Sequence, residues 1–206
     1  MKIVVLSCVH GRLNTVKQAL DYSLEVERVF VCSTPQEVNW LKANGYENSY
    51  QYENYPLNKK WNYGVKLLKE IDFDYVVMMG SDDYFDENFV SWLETRQGFD
   101  MIAFTDMYFK DQNGFNYYWG GYTTNRVGEP AGAGKTYSKE YLERIDYNLF
   151  PVTSNKGLDG QSWVVANFTK ANMLITSLRE NNLWLCDIKD GKGITPLHTI
   201  KGIKRC

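Results

Sequence analysis

Two adjacent carboxylates, Asp82 and Asp83, follow almost directly after the apolar run 75–79. A run of this kind predicts a buried strand, and ligands of open α/β sheets bind at the carboxyl ends of such strands. Neighbouring carboxylates repel each other unless a cation lies between them, and a divalent metal ion with a phosphate ligand serves that purpose. The alternative is that one of the two caps a helix predicted at 85–95. Taken alone, the pair leaves both interpretations open.

Length and charge limit the classes of protein to which the chain can belong. Its 206 residues carry a net charge of −2, and 15% of them are aromatic. This length suits one domain with a sizeable core. A nearly neutral chain lacks the broad positive surface that nucleic-acid binding proteins use, although a local basic groove stays open. The many tyrosines and tryptophans suit either a core edge or a surface that stacks on sugars or bases.

The N-terminus and the cysteines indicate a cytoplasmic protein. One lysine and four apolar residues precede Ser7, which is too short for the apolar part of a signal peptide. No apolar run approaches the length of a membrane span. The four cysteines form no CxxC pair and no dense cluster, which favours reduced thiols over disulfides. We therefore expect a cytoplasmic protein without a membrane span.

Strands and helices alternate in the first half of the predicted structure. Apolar runs predict strands at 2–7, 28–32, 49–54 and 74–79. Helical spacing of apolar residues predicts helices at 13–24 and 58–70, and start and stop signals predict another between them at 36–44. For the second helix, Thr34 is the expected N-cap and Pro35 the first helical position. This alternation predicts a doubly wound α/β layer with a mostly parallel central sheet.

The second half is richer in glycine and aromatic residues. We predict a strand at 100–109, a hairpin or loop at 115–122, and helices at 138–145 and 161–167. A glycine-rich segment, 129–134, is expected to lead into the first of these helices. The segment 183–206 should contain a short strand, a turn and a lysine-rich tail. Because no repeat or linker divides the chain, we predict a single domain over 1–206.

The order of the motifs resembles that of the GT-A fold glycosyltransferases, most closely the family-2 type. The resemblance lies in the first strand and in four motifs: Asn58-Lys59-Lys60-Trp61-Asn62-Tyr63-Gly64, Gly80-Ser81-Asp82-Asp83, Gly132-Ala133-Gly134 and Leu158-Asp159. At two positions the chain departs from the family pattern. Gly80 stands where the first aspartate of the metal motif is often found, and Leu158 replaces the glutamate usual beside the later aspartate. The resemblance implies a nucleotide-diphospho-sugar transferase fold with a nucleotide-binding half at 1–100 and an acceptor half with the tail at 101–206.

The resemblance also implies a Mn²⁺ or Mg²⁺ ion that bridges the diphosphate of the donor. Carried onto this sequence, Asp83 is the direct ligand, and Asp82 contacts hydroxyls of the sugar or the ribose. Hard oxygen ligands suit a hard cation, which neutralises the charge on the leaving diphosphate. His198 is expected to complete the metal site; the alternative is that it belongs to a solvated basic tail.

Further residues are expected to bind the nucleotide-sugar donor. They lie after the first strands, in the third helix, in the aspartate motif and in the glycine-rich segment, and are Ser7, His10, Ser33, Lys59, Asn62, Ser81, Asp82 and Gly134. For Gly134 the alternative is an ordinary turn. The aromatic residues within 117–122 are expected either to stack on a sugar or to pack in the core.

Asp159 is the catalytic base that the resemblance implies. An inverting transfer needs a carboxylate that takes the proton from the acceptor hydroxyl as it attacks the anomeric carbon. The alternative for Asp159, which lies between two glycines before a predicted helix, is a helix cap.

These residues together predict a metal-dependent glycosyltransferase. It would move a sugar from a nucleotide-diphosphate donor, with a UDP-sugar favoured, to a glycan, a protein or a modified nucleobase. One alternative is a non-catalytic nucleotide- or glycan-binding module, which the departures at Gly80 and Leu158 would suit. A sugar-phosphate nucleotidyltransferase is disfavoured, because the segment 8–13 lacks the repeated glycines of the GxGxR-type loop.

Overall fold

A computed structural model describes residues 1–23, 25–151, 153, 155, 158, 160–191 and 196–206. The described residues form twelve strands and six α-helices, together with short 3₁₀ turns. The strands are β1 Ile3–Val9, β2 Glu27–Cys32, β3 Ser49–Gln51, β4 Tyr75–Gly80, β5 Asp83–Phe85, β6 Met101–Phe104, β7 Met107–Asp111, β8 Asn116–Trp119, β9 Lys135–Ser138, β10 Met173–Thr176, β11 Leu185–Lys189 and β12 Lys204–Arg205. The helices are α1 Leu13–Asp21, α2 Pro35–Ala43, α3 Leu57–Leu67, α4 Phe89–Glu94, α5 Lys139–Arg144 and α6 Gln161–Phe168.

The central sheet has seven strands in the order β10-β6-β9-β4-β1-β2-β3. Neighbours are parallel except at β9, which runs antiparallel to both β4 and β6. Both faces of β1 are buried: Val4 and Leu6 pack into one apolar cluster, while Ile3 and Val5 pack into another. A strand covered on both faces reads as a continuous apolar run, which is why the sequence predicted it. The predicted mostly parallel α/β sheet is confirmed.

Helix α2 shows how local sequence signals set an element's limits. It begins at Pro35, and Thr34 in extended conformation accepts a hydrogen bond from the backbone N–H of Glu37. The Glu37 carboxylate accepts one in return from the Thr34 N–H, which completes a capping box. Both the predicted cap and the predicted first position are confirmed.

A second, smaller sheet has the order β12-β8-β7-β11-β5. Strands β7 and β8 form a hairpin, with Met107 opposite Trp119. Of the hairpin or loop predicted at 115–122, only its second strand, β8, lies in that range. Strand β11 runs parallel to β7 and antiparallel to β5, so the residues just after β4 are joined to a strand about a hundred positions later. This pairing brings two distant segments together at the carboxyl end of β4.

Three predicted elements are wrong. The helix predicted at 85–95 is shorter, because 83–85 pair with β11 as strand β5 and α4 begins only at Phe89, so neither aspartate caps it. The strand predicted at 100–109 divides at Thr105 and Asp106 into β6 and β7 of different sheets, and buried Asp106 anchors this break by accepting the Leu178 N–H at 2.6 Å. The glycine-rich segment leads into strand β9 rather than into a helix. In each case a partner strand remote in sequence decides the structure.

Within the described ranges, no helix has both the length and the apolar character needed to cross a bilayer.

Candidate active site

A cleft of about 730 Å³ opens where β1 and β4 end. Its lining includes Cys8 and His10 at the end of β1 and the residues from Gly80 to Asp83 at the end of β4. Further lining comes from residues 54–61, from 119–126, from β11 and from the C-terminal residues Thr199, Ile200 and Lys201. The cleft therefore lies at the position where sheets of this type bind ligands.

Three carboxylates meet in this cleft. Asp82 follows β4, whereas Asp83 and Asp187 lie directly opposite each other in the antiparallel pair of β5 and β11. One oxygen of each carboxylate lies within 4.8 Å of one oxygen of the other two. The backbone N–H of Ile188 also donates to the carbonyl oxygen of Asp82 at 2.9 Å, which fixes the turn that carries Asp82. The sheet pairing thus sets the geometry of this carboxylate group, as we call Asp82, Asp83 and Asp187 together.

Burial and mutual repulsion make the carboxylate group costly to ionise. Burial raises the pKa of Asp83 well above its usual range, and the charges of Asp187 and Asp82 raise it further. Burial, followed by the charge of Asp82, raises the pKa of Asp187 to about 7. Lys189 lowers this second pKa, since its Nζ lies 2.5 Å from Asp187 Oδ2. Arg12 lowers it as well, but the two cations do not offset burial and the repulsion among the three acids.

The donor atoms suit a hard divalent cation. Asp187 Oδ1 is buried and has no hydrogen-bond partner among the described residues. A buried carboxylate oxygen without a partner is unfavourable in a folded protein, and a metal ion is one species that satisfies it. Carboxylate oxygens are preferred ligands of Mg²⁺ and Mn²⁺. The chain therefore offers Asp82, Asp83 and Asp187 as candidate ligands.

Gly80 creates the space that these carboxylates occupy. A Cβ at this position would lie 2.8 Å from both Asp82 Oδ1 and Asp83 Oδ2, too close for either to stay in place. The Gly80 N–H also donates to Asp83 Oδ2 at 2.6 Å. The aspartate that the family pattern often carries at this point is absent, and Asp187 supplies a third carboxylate from β11 instead.

Arg12 is the cation that contacts Asp82. Its Nη2 lies 2.9 Å from Asp82 Oδ2, and its Nη1 lies 3.3 Å from Asp190 Oδ1. Burial lowers the pKa of this guanidinium, but the charges and hydrogen bonds of Asp82 and Asp190 raise it on balance. Arg12 is therefore a fixed positive charge at the edge of the carboxylate group.

A second polar group lies beside the cleft around Lys60. This lysine is fully buried, and its Nζ donates to the Val9 carbonyl at 2.5 Å and to Ser33 Oγ at 2.7 Å. Asn54 Oδ1 lies 3.4 Å from the same nitrogen. Lys60 and Asn54 both line the cleft, so they present polar atoms near the end of β1.

The structure brings only part of the predicted donor and metal set into the cleft. The predicted residues that line it are His10, Ser81, Asp82 and Asp83. Asp159, the predicted base, lies outside the described residues. Its neighbour Leu158 is described; it lines the cleft, and its carbonyl accepts from Lys135 Nζ at 2.9 Å.

Six predicted residues lie outside the described lining: Ser7, Ser33, Lys59, Asn62, Gly134 and His198. Ser7 is buried within β1, and Ser33 accepts a hydrogen bond from Lys60, which itself lines the cleft. Lys59 faces solvent on α3, the position next to the buried Lys60. His198 is exposed and is not part of the carboxylate group.

Asn62 and Gly134 have structural contacts in this fold. The Asn62 side chain accepts from the Phe150 N–H at 2.9 Å and donates to the Phe150 carbonyl at 3.0 Å. Gly134 has φ +78°, and a Cβ there would lie 2.7 Å from Leu185 Cδ1. The neighbouring Gly132 and Ala133 line the cleft in its place.

Only some of the aromatic residues within 117–122 and of the tail residues line the cleft. Trp119 and Tyr122 line the cleft, whereas Tyr117 and Tyr118 do not. In the tail, Lys201 lines the cleft, but Lys204 and Arg205 form β12 and pair with β8. Sequence reasoning missed Asp187 and Lys189, although a lone aspartate in the apolar run 185–188 was a readable signal.

Comparison with solved structures identifies the fold. The crystal structure of S. aureus TarS 1-349 in complex with UDP-GlcNAc is similar to this chain with a TM-score of 0.62 and 16% identity, over 95% of this chain and 62% of that one. The chain has the GT-A fold. TarS 1-349 in complex with UDP is similar with a TM-score of 0.61 and 16% identity, over 91% of this chain and 60% of that one.

A third GT-A structure is similar at lower sequence identity. It is GalNAc-T7 with UDP, GalNAc and Mn²⁺, with a TM-score of 0.62 and 9% identity over 92% of this chain and 44% of that one. The chain thus spans less than two thirds of the length of these chains. No protein-family model matches the sequence, and no curated protein matches it significantly. The resemblance to GT-A glycosyltransferases is confirmed for the fold.

Proposed function

We propose that this protein is a metal-dependent glycosyltransferase that moves a sugar from a nucleotide-diphosphate donor to an acceptor hydroxyl. The observation that carries the proposal is the carboxylate group in the GT-A cleft, in which one buried oxygen of Asp187 has no partner among the described residues. A UDP-sugar is the favoured donor, since the similar TarS structures hold UDP-GlcNAc or UDP and the GalNAc-T7 structure holds UDP.

Asp82, Asp83 and Asp187 would hold the ion, with Mn²⁺ or Mg²⁺ as the candidates. When bound, the ion supplies positive charge to the diphosphate as it leaves the sugar. The protein's part is to keep three carboxylates within reach of one point by sheet pairing, and to place Arg12 and Lys189 beside them. His198, which is exposed, would have to move to become a further ligand.

The transfer is proposed to invert the anomeric centre with Asp159 as base. This carboxylate would take the proton of the acceptor hydroxyl during attack on the anomeric carbon. Residues 1–100 would bind most of the nucleotide and 101–206 the acceptor, which is a glycan, a protein or a modified nucleobase. Asp187 of the second half would add a ligand of the ion. In Asp159→Asn, turnover should fall by orders of magnitude while donor affinity changes little, whereas transfer near the wild-type rate would exclude Asp159 as the base.

The test is to measure donor binding and release of UDP with Mn²⁺ for a panel of UDP-sugars. Asp83→Asn keeps the shape of the side chain but removes its charge, so it should abolish most Mn²⁺-dependent donor binding. Asp146→Asn is the matched control, because that carboxylate is 90% exposed in an ion pair with Lys69 outside the cleft.

The outcomes separate the candidate functions. Mn²⁺-dependent transfer or hydrolysis that Asp83→Asn abolishes supports the glycosyltransferase. Binding of the UDP-sugar without any turnover indicates the non-catalytic module. Donor binding that is the same with and without Mn²⁺, or the same in Asp83→Asn, contradicts the metal site.

A further inference from the structure

Arg12 has an unusual backbone conformation for the residue that precedes a helix. It holds the N-cap position of α1 with φ 52°, in the left-handed region, and makes no side-chain cap. Its carbonyl accepts the N–H groups of Thr15 and Val16 at 2.9 and 3.1 Å. A left-handed conformation is unfavourable for a non-glycine residue, so surrounding contacts must hold it there. The guanidinium, which has donors only and so cannot cap a helix N-terminus, lines the cleft and contacts carboxylates there.

Two carboxylates hold the guanidinium in that position. Besides the contact with Asp82, its second nitrogen contacts Asp190, whose other oxygen accepts from Thr15 Oγ1 at 2.8 Å. The side chains of Arg12, Asp82 and Asp190 are 21%, 15% and 22% exposed. Charges that are partly buried in this way are screened less than surface charges. The attraction between Arg12 and the carboxylate group is therefore only partly screened by solvent.

A metal ion and Arg12 would compete for Asp82. The oxygen that Arg12 contacts belongs to one of the three candidate ligands, so an ion bound there would lie close to a guanidinium of the same sign. A diphosphate changes this balance, since its oxygens match the planar fork of an arginine. Arg12 would thus repel a metal ion that binds alone, but it would stabilise a metal ion that binds together with a diphosphate.

We propose that Arg12 is a positioning residue that couples binding of the metal ion to binding of the nucleotide diphosphate. It neutralises part of the carboxylate group when no donor is present, and it turns from Asp82 to the diphosphate when the donor enters with its ion. This inference rests on the proposed function, because it takes the carboxylate group as the metal site. The alternative is that Arg12 only ties α1 to the residues after β4 and β11.

The experiment is a calorimetric titration of Mn²⁺ into the protein with and without UDP. For Arg12→Gln, Mn²⁺ alone should bind about tenfold more tightly than to wild type, which corresponds to ~1.4 kcal/mol. The Mn²⁺-dependent affinity for UDP should fall, because the fork is lost. The factor by which UDP raises Mn²⁺ affinity must equal the factor by which Mn²⁺ raises UDP affinity, so both titrations report the same coupling.

Two further variants separate charge from structure. Arg12→Lys keeps a positive charge without the fork, so it should keep the weak binding of Mn²⁺ alone but lose UDP affinity. Lys17→Gln removes an exposed charge from the same helix, where Lys17 pairs with Asp21, and should change neither titration. Thermal unfolding of each variant shows that it is folded.

The two proposals fail in different ways. If Mn²⁺ binds and the coupling factor is the same in wild type and Arg12→Gln, only the role of Arg12 is overturned. Tighter Mn²⁺ binding in Lys17→Gln as well would overturn it too, because net charge alone would explain the effect. If wild type binds no Mn²⁺ even with UDP present, the proposed metal site is overturned and the role of Arg12 with it.

Discussion

Replacing Asp187 by asparagine should stabilise the metal-free protein and remove part of its pH dependence. The pKa of this carboxyl rises from its ordinary 3.8 to about 7 in the folded protein. Between these pH values the folded state binds more protons than the unfolded state, so the free energy of unfolding falls as pH rises. The stability that the protonated Asp187 carboxyl contributes is fully present below about pH 4 and is lost as pH rises through about 7.

The size of the effect follows from the same pKa. About three pKa units separate the folded carboxyl from its ordinary value, and each unit corresponds to about 1.4 kcal/mol. The Asp187 side chain is only 14% exposed, so solvent screens this term little. Ionisation should thus cost on the order of 4 kcal/mol at pH 8, of which roughly 2–3 kcal/mol appears between pH 5 and pH 8. For a chain of this length, Asp187→Asn should raise Tm by roughly 10 °C at pH 8.

The assay is thermal unfolding at pH 5 and pH 8, with chelator and with Mn²⁺. The gain in Tm of Asp187→Asn over wild type should be larger at pH 8, and Mn²⁺ should raise the Tm of wild type only, because ligands stabilise the state that binds them. Asp146→Asn, on the surface, should change Tm little at either pH. A variant with the wild-type Tm at pH 8, or with the same gain at both pH values, would refute the reasoning.

Three further variants test other parts of the structure. Gly80→Ala places a Cβ 2.8 Å from Asp82 Oδ1 and Asp83 Oδ2, so it should weaken Mn²⁺ binding by at least tenfold in calorimetry; unchanged affinity would contradict the geometry. Gly134→Ala should lower the free energy of unfolding in urea by roughly 2–4 kcal/mol, and by more than Gly114→Ala, which has a similar φ but open space around its Cβ. Lys201→Ala should weaken UDP binding more than uridine binding, whereas an equal loss would show that Lys201 does not contact the phosphates; Lys204→Ala, in β12 outside the cleft, should affect neither.

Local signals predicted most of the first half of the fold. Strand β1 is covered on both faces and therefore reads as an apolar run, and the cap at Thr34 lies next to the helix that it starts. Asp82 and Asp83 were likewise predicted correctly at the end of β4, because they follow almost directly after its apolar run. Prediction succeeded where the residues that decide the structure are neighbours in sequence.

The missing parts of the site depend on contacts between distant segments. Strand β5 is three residues long, and only its pairing with β11 distinguishes it from the start of a helix. Arg12 is 178 positions from Asp190, so no spacing rule could join them. Asp187 was also missed, but it could have been predicted locally, because an acid in an otherwise apolar strand is a sign of a polar site at the sheet end.

The central claim is that Asp82, Asp83 and Asp187 hold a metal ion that binds a nucleotide diphosphate. Crystals grown with Mn²⁺ and UDP, measured for the anomalous signal of manganese, test it most directly. We predict a peak that is coordinated by oxygens of all three carboxylates and by phosphate oxygens of UDP. UDP bound in the cleft with no manganese peak at these residues, or a peak only elsewhere on the protein, would contradict the claim.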